Sequence, residues 1–460
     1  MKKRISLIIL FIISVLFVGI LSSCDKEEID EDKIKITFYA RHFEDWSDEF
    51  TQKVVKEFNE IPDNDIYVDL KIYESDTYND ALVIARENGK SPEIFMSSYS
   101  SLPHDARQEN VVALNTLFDQ EIWDDIDANI LEFVTFDNKI YGFPWFSEPG
   151  SIFYYRKDIL QQYGYNEAPK TFDELYAICA DIKKDLKIGQ YALGLPASPS
   201  DLAWATWGLQ YNLSNGLVVT DDWLTSRIED NGYKELAKFF YTCAYNKYCN
   251  TSNISTDGYT NITEALFAGN IMMCWGGSWQ IALLHTLAEE NNNNEIIKNI
   301  GVSEIPTLTG DKNKTTATNG GWCYSISSTV SVTKRQAAVK FIKWLFTEDP
   351  KRLGKYFEAS YMSRKPASKK IQNYLKTIDT VVDAQWVETV NNVSNYAIPE
   401  AYYPWDLSFE VANFIQACVQ TSSTSFESVY SSALSNAKNN IQSIMSRDSY
   451  TRNPWMVSDE

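Results

Sequence analysis

The sequence lacks the residue clusters that build metal sites and nucleic-acid surfaces. Its three histidines, His42, His104 and His285, are scattered, and no Cys-x-x-Cys pair or cysteine–histidine cluster occurs. We therefore predict no metal site and no cofactor. Lysine and arginine number 42 against 62 aspartates and glutamates, which gives a formal net charge of -20. Because binding to phosphate needs clustered positive charge, we do not expect nucleic acid as a partner.

Long apolar runs are also absent, with one exception at the N-terminus. Three basic residues precede an apolar run over residues 5–21, which ends in small residues and Cys24. This pattern is typical of a bacterial lipoprotein signal peptide; an uncleaved anchor helix is the alternative. We expect residues 1–23 to be removed and Cys24 to be acylated, so that the acidic tether 24–33 links a membrane lipid to an extracytoplasmic protein at the cell surface or facing the periplasm.

Tryptophan is abundant: the chain has 13, and 14% of its residues are aromatic. An ordinary core does not need so many indoles, which favours a surface or cleft that binds something. The 437 residues left after cleavage (460 minus 23) exceed what one core usually supports, so two domains are expected. Among the six remaining cysteines, Cys243 and Cys249 could form a disulfide or stay buried as free thiols.

Apolar periodicity predicts the class of fold. Residues 34–40, 66–72 and 93–96 read as strands, and the segments between them have helical spacing. A second strand–helix region begins at 151–155 and continues with a helix over 171–184, which opens with a capping-box spacing. Alternating strands and helices are typical of parallel α/β sheets, so the predicted class is α/β.

Several sequence blocks, taken in order, resemble one known family. They are Lys139-Ile-Tyr-Gly-Phe-Pro144, Phe153-Tyr-Tyr-Arg-Lys-Asp158, Ala168-Pro-Lys-Thr-Phe-Asp-Glu-Leu175, Phe267-Ala-Gly269 with Gly277-Ser-Trp279, and Gly320-Gly321 with the segment 337–345. The chain resembles the carbohydrate-class extracellular solute-binding proteins, which include the maltose-binding protein and serve ATP-driven (ABC) importers. The resemblance covers about residues 34 to 430. It implies a monomeric binding protein, not an enzyme, with a carbohydrate ligand and ABC permease subunits as partners.

The resemblance also implies two discontinuous α/β lobes, joined by a three-crossover hinge, with a ligand cleft between them. The N-terminal lobe would comprise 34–146 and 307–357, and the C-terminal lobe 150–305 and 362–460. The chain would cross near Phe146–Gly150, near Pro306 and near Glu358–Met362. Ligand would bind between the lobes and stabilise a closed form.

A sugar offers an apolar face and a rim of hydroxyls, so its site needs aromatic platforms and carboxylates. By the resemblance, Glu148 at the first crossover reaches the sugar and Trp279 stacks on it. The family pattern and the strand-end position of the loops give further ligand-binding candidates, for each of which core packing or an exposed turn is the alternative. These candidates are Arg41, Glu44, Ser97, Ser98, Tyr99, Trp145, Trp275, Gly321, Trp322 and Trp405.

Two other functions remain open at the level of sequence. A lipid-anchored glycoside hydrolase would need two carboxyl groups facing each other across the sugar, and Glu148 has no evident partner in the sequence. A surface lipoprotein that captures glycans without an ABC importer would have the same aromatic residues. The number of aromatics near the expected cleft favours an oligosaccharide over a monosaccharide.

Overall fold

The computed structural model describes residues 33–75, 77–251, 258–311, 316–379, 382–402, 404–420 and 425–447. The expected signal peptide, Cys24 and the acidic tether up to residue 32 lie outside the described residues.

The first lobe is built on a sheet in which the structure describes seven strands, in the order β12-β6-β11-β3-β1-β2 with β13 beside β11. The N-terminal strands β1 and β2 are parallel and in register from Ile34 opposite Ile66, as the apolar alternation predicted. The strands are β1 (Ile34–Arg41), β2 (Ile66–Tyr73), β3 (Ile94–Ser98), β6 (Phe143–Pro149), β11 (Thr318–Ile326), β12 (Lys365–Pro366) and β13 (Ile398–Pro399). A separate hairpin joins β4 (Thr135–Phe136) and β5 (Lys139–Ile140).

Helices cover the strands of this first sheet. They are amphipathic: in the first of them, Val54, Val55 and Phe58 are buried while the charged residues face outward. The helices are α1 (Asp45–Asn59), α2 (Tyr78–Glu87), α3 (Leu102–Arg107), α4 (Gln120–Asp125), α5 (Ala128–Glu132), α13 (Val332–Phe346), α14 (Pro350–Ala359) and α15 (Lys369–Leu375).

The second lobe has a four-stranded sheet in the order β10-β7-β9-β8. Its strands are β7 (Ile152–Arg156), β8 (Tyr191–Gly194), β9 (Ile271–Gly276) and β10 (Ile300–Glu304). Its helices are α6 (Lys157–Gln162), α7 (Phe172–Ile182), α8 (Pro199–Ser214), α9 (Asn231–Tyr245), α10 (Tyr259–Phe267), α11 (Gln280–Glu290), α12 (Glu295–Lys298), α17 (Trp405–Gln420) and α18 (Phe426–Arg447), with a 3₁₀ turn at Lys183–Asp185. The capping box predicted for α7 is present, formed by Thr171 and Glu174.

The chain passes between the sheets at the junction of β6 and β7, between β10 and β11, and again towards its C-terminus. The third passage differs from the prediction, which placed it near Glu358–Met362. Strand β12 pairs with β6, and Ser368 bridges to Ile126, so the chain stays in the first lobe through α15. It then continues into α16 (Ala384–Tyr396), where the Gln385 side chain donates to the Val302 carbonyl of β10 at 2.7 Å.

Three general features concern the described residues alone. No helix among them is both long and apolar enough to cross a membrane. They contain no group of three or more histidine, cysteine, aspartate or glutamate side chains that could hold a metal ion. The six cysteines in this part of the chain, including Cys243 and Cys249, are buried free thiols.

Candidate binding cleft

Two antiparallel strands, β6 and β11, lead the chain to the boundary between the lobes. Glu148 of β6 lies opposite Gly320. The strand ends at Pro149, and two residues separate it from β7, the first strand of the second sheet along the chain. A β-carbon on Gly150 would lie 2.2 Å from the Trp204 ring, and one on Gly320 would lie 2.5 Å from a carboxylate oxygen of Glu400. The glycines therefore allow an indole and a carboxylate to lie directly against the crossing strands.

A buried arginine holds two carboxylates at this end of the first lobe; we call the set Arg41, Glu44, Glu148 and Arg364 the arginine–glutamate network. The Arg364 side chain is only 2% exposed. Its guanidinium donates to both carboxylate oxygens of Glu44, at 2.8 and 3.2 Å, to Glu148 at 2.8 Å and to the Tyr356 hydroxyl at 2.9 Å. This bonding fixes the Glu148 carboxylate at the first crossover.

Burial and neighbouring charges act against each other within the network. Burial raises the pKa of Glu148, and the positive charges of Arg364 and Arg41 oppose that rise. Burial lowers the pKa of Arg41, whose guanidinium lies 5.0 Å from the ring centre of Phe43 and 5.1 Å from that of Trp322. The network thus places charged hydrogen-bonding groups among aromatic faces. A ligand with many hydroxyl groups on an apolar ring needs both kinds of contact.

The second lobe contributes a group of aromatic rings; we call Trp204, Tyr259 and Trp279 the tryptophan wall. The ring centre of Trp279 lies 5.0 Å from that of Trp204 and 5.3 Å from that of Tyr259, with edge-to-face geometry. Trp204 and Trp279 are half-buried, so each keeps part of its ring accessible, whereas Tyr259 is buried beneath them. The wall therefore offers flat apolar surface beside the glycines of the crossing strands.

Glu400 links the wall to the first lobe. It follows β13, is buried, and accepts a hydrogen bond from the Trp204 indole Nε1–H at 2.8 Å. Burial raises the pKa of Glu400 to about 7, the charge of Glu148 adds to the rise, and hydrogen bonds from Trp204 and Ser100 oppose it. The two buried carboxyl groups, Glu148 and Glu400, therefore influence each other's charge across the strands β6 and β11.

Comparisons with known proteins identify the family. The pattern of the family described as bacterial extracellular solute-binding protein matches residues 44–352. The chain belongs to this family. A probable ABC transporter-binding protein of Deinococcus radiodurans is 25% identical over 206 residues, and an uncharacterized ABC transporter extracellular-binding protein of Pyrococcus horikoshii is 28% identical over 134 residues. These matches cover 42% and 29% of this chain, and the chain spans only 44% and 30% of the two relatives.

Solved structures share the fold over nearly the whole chain. The maltose-bound MalE3 protein of T. maritima superposes with a TM-score of 0.71 at 21% identity, covering 88% of this chain and 99% of that one. The maltotriose-binding protein of Thermus thermophilus gives 0.67 at 17%, covering 88% and 100%. The likeness shows that this solute-binding protein has the two-lobed α/β fold that its sequence predicts.

Two tryptophans expected at the cleft of the solute-binding protein lie in its core. Trp145 is 1% exposed and packs on Tyr356, with ring centres 4.4 Å apart. Trp275 is fully buried in β9, 5.3 Å from the ring of Phe239. Their ring partners Tyr356 and Phe239 belong to the helices α14 and α9, so these indoles fill the layer between sheet and helix.

Ser97 and Ser98, predicted to follow a strand over residues 93–96, form the end of β3 instead, and Tyr99 and Gly321 are also more buried than expected. The Ser97 hydroxyl lies 2.8 Å from that of Ser325, and the Tyr99 hydroxyl donates to the Phe146 carbonyl at 2.8 Å. Gly321 has a φ of 152°, and a β-carbon there would lie 2.2 Å from the same carbonyl, so its role is close packing. Ser98 is half-buried, with its hydroxyl bonded to those of two neighbouring serines.

The remaining predicted residues, except Trp405, lie near the junction of the lobes. Arg41, Glu44 and Glu148 belong to the network, Trp322 lies against the Arg41 guanidinium, and Trp279 is in the wall. Trp405 is 43% exposed and packs on the buried Trp207, whose ring centre is 5.3 Å away. The fold therefore brings the three predicted charged residues together.

The sequence analysis missed Trp204, Glu400 and Arg364. The sequence did carry a signal for Trp204. It lies three residues from Trp207 in the helix that follows β8, and residues that follow a strand end are where ligand contacts were expected. Glu400 precedes the predicted Trp405 by five residues. Arg364 gave no local signal, since its partners lie 216 and 320 residues away in sequence.

Proposed function

We propose that this solute-binding protein captures a carbohydrate, in particular an oligosaccharide, in the crevice between its lobes and delivers it to an ABC permease. In this proposal the chain acts as a monomer tethered by a lipid on Cys24. Contacts made with both lobes only in the closed form supply the differential affinity that drives closure.

The observation that carries the proposal is the pairing of the tryptophan wall with the Glu148 carboxylate. Trp204 and Trp279 present ring surface from the second lobe, and Glu148 is fixed by Arg364 in the first. A sugar ring needs both kinds of partner at once, an aromatic face for its C–H groups and a carboxylate for its hydroxyls. The two solved relatives described above are bound to maltose and to maltotriose, which supports a saccharide as the ligand here.

Calorimetric titration against a panel of oligosaccharides tests the proposal. We expect wild-type protein to bind at least one of them and Glu148→Ala or Trp279→Ala to lose at least tenfold in affinity. Glu229→Ala and Trp223→Ala serve as controls, because Glu229 pairs with Lys438 at an exposed site and the Trp223 indole donates to Met445 of α18. Affinity unchanged in both cleft variants would remove the site assignment.

The same carboxylates could suggest a glycoside hydrolase. We propose that the protein does not hydrolyse glycosidic bonds. The Glu148 carboxylate accepts from Arg364 and that of Glu400 accepts from Trp204, so both act as hydrogen-bond acceptors, a role that allows bonding to a ligand hydroxyl but not proton donation. A glycosidase needs one carboxyl group as proton donor and a second as nucleophile or base. Product analysis after prolonged incubation with glycans should show intact substrate.

The lipid tether is tested in the native host. Wild-type protein should incorporate an alkyne-tagged fatty acid and Cys24→Ala should not, because acylation needs the thiol. Equal incorporation by the variant would contradict acylation of Cys24.

A further inference from the structure

Glu400 occupies the place where three parts of the chain meet. Its carboxylate accepts from the Trp204 indole of α8 and from Ser100 in the loop after β3, and it lies against Gly320 of β11. A larger residue at position 150 would displace the Trp204 indole, and one at position 320 would displace the Glu400 carboxylate. The contact therefore joins a second-lobe aromatic ring to the first-lobe strands through one side chain.

The orientation of the Trp204 indole depends on its hydrogen bond to Glu400. It is half-buried, and its neighbours Trp279 and Tyr259 meet it edge to face, at 5.0 and 6.2 Å between ring centres. Ring contacts of this kind tolerate a range of orientations, whereas an N–H···O bond of 2.8 Å is directional. The hydrogen bond to Glu400 is thus the contact that fixes the direction in which the indole faces.

We propose that Glu400 is a positioning residue of the binding cleft, whose carboxylate sets the orientation in which Trp204 meets the ligand. This inference rests on the proposed function, since it assigns Trp204 as a stacking platform for the carbohydrate. Glu400 thus controls the geometry of a ligand contact without contacting the ligand itself.

Burial raises the pKa of Glu400 to about 7, so its charge changes near neutrality. The described groups that interact with it are Trp204 from α8, Tyr99 and Ser100 from the loop after β3, and Glu148 from β6. Burial raises the pKa of the Tyr99 phenol well above its usual value, so among these groups only Glu148 can carry a charge near neutrality. A carboxylate accepts the indole N–H more strongly than a neutral carboxyl does. Ligand affinity should therefore rise by about fivefold between pH 6 and pH 8.

The first arm of the test needs no ligand. Indole Nε1–H resonances of ¹⁵N-labelled protein are followed by NMR from pH 5.5 to 8.5, with Trp204→Phe assigning the Trp204 signal. We expect that signal to shift with a midpoint near 7 in the wild type and to stay constant in Glu400→Gln, whose amide oxygen still accepts the bond but does not titrate. A Trp204 signal that does not move in the wild type would overturn the proposal.

The second arm measures binding of the saccharide that the wild type takes up. Glu400→Gln should abolish the pH dependence, and the losses in Glu400→Ala and Trp204→Phe should not add in the double variant, since both break one hydrogen bond. Additive losses with an unchanged pH profile would contradict the positioning role. If the wild type binds no saccharide, the proposed function fails, and the NMR arm separately decides whether Glu400 holds Trp204.

Discussion

Replacing Arg364 by methionine should destabilise the protein strongly, because it removes the one cation that holds both Glu44 and Glu148. Arg364 is nearly fully buried and donates four hydrogen bonds, three of them to carboxylate oxygens. Methionine has a similar length and fills much of the space, so lost packing is a small part of the effect. The main cost is that two partly buried carboxylates lose the cation that bonds them directly and keep only the charge of Arg41 between them.

The expected loss is about 3–5 kcal/mol at pH 8, the cost typical of removing one partner from a buried ion pair. The loss should be smaller at pH 5, because burial already raises the pKa of Glu148 and removal of the cation raises it further, so that a larger fraction of the carboxyl group is protonated at the lower pH. The double variant Arg364→Met, Glu148→Gln should recover much of the stability, since Arg41 then faces a single carboxylate, that of Glu44.

Urea unfolding followed by circular dichroism at pH 5 and pH 8 measures these differences. Lys438→Met is the matched control: it also removes one positive charge, but its pair with Glu229 leaves both side chains more than half exposed. We expect the control to change the free energy of unfolding by less than about 1 kcal/mol. A loss for Arg364→Met no larger than that of the control would refute the reasoning.

Three further predictions concern stability and ligand affinity. Burial lowers the pKa of His285 to about 4, below its unfolded value. The stability that neutral His285 contributes is therefore complete above pH 6.5 and falls by about 2 kcal/mol at pH 5. Thermal unfolding above pH 6.5 and at pH 5 should show this loss in the wild type and not in His285→Phe. Gly150→Ala should lower ligand affinity by displacing the Trp204 indole, and titration should find no further loss when Trp204→Ala is already present. Trp275→Ala should cost about 3–5 kcal/mol in urea unfolding because it empties core volume, and a loss below 1 kcal/mol would argue against its core position.

The fold was largely predictable because its signals are local. Apolar alternation predicted β1 and β2, and the capping box of α7 stood in the sequence as Thr171 and Glu174. The third crossover was misplaced because its landmark, β12, is a pair of residues with no periodicity. Strand β12 is held by its pairing with β6 and by the neighbouring Arg364, whose two carboxylate partners are distant in sequence.

The site was predictable only in part, because tryptophan content does not reveal which indoles are covered. In β6 and β9 both faces of the strand are buried, so alternation could not separate Trp145 and Trp275 from a cleft residue. Trp204 and Glu400 meet across 196 residues of sequence, at a contact that no local pattern encodes. Glu148 and Trp279 were named as candidates through the family resemblance, and their ligand contacts stay a prediction.

The most direct test of the proposed function is a crystal structure of the mature protein grown with a mixture of natural oligosaccharides. We expect a saccharide between the lobes, with a sugar ring against Trp204 or Trp279 and a hydroxyl bonded to Glu148. A peptide or a metal ion in that crevice, or a saccharide bound only elsewhere, would contradict the account.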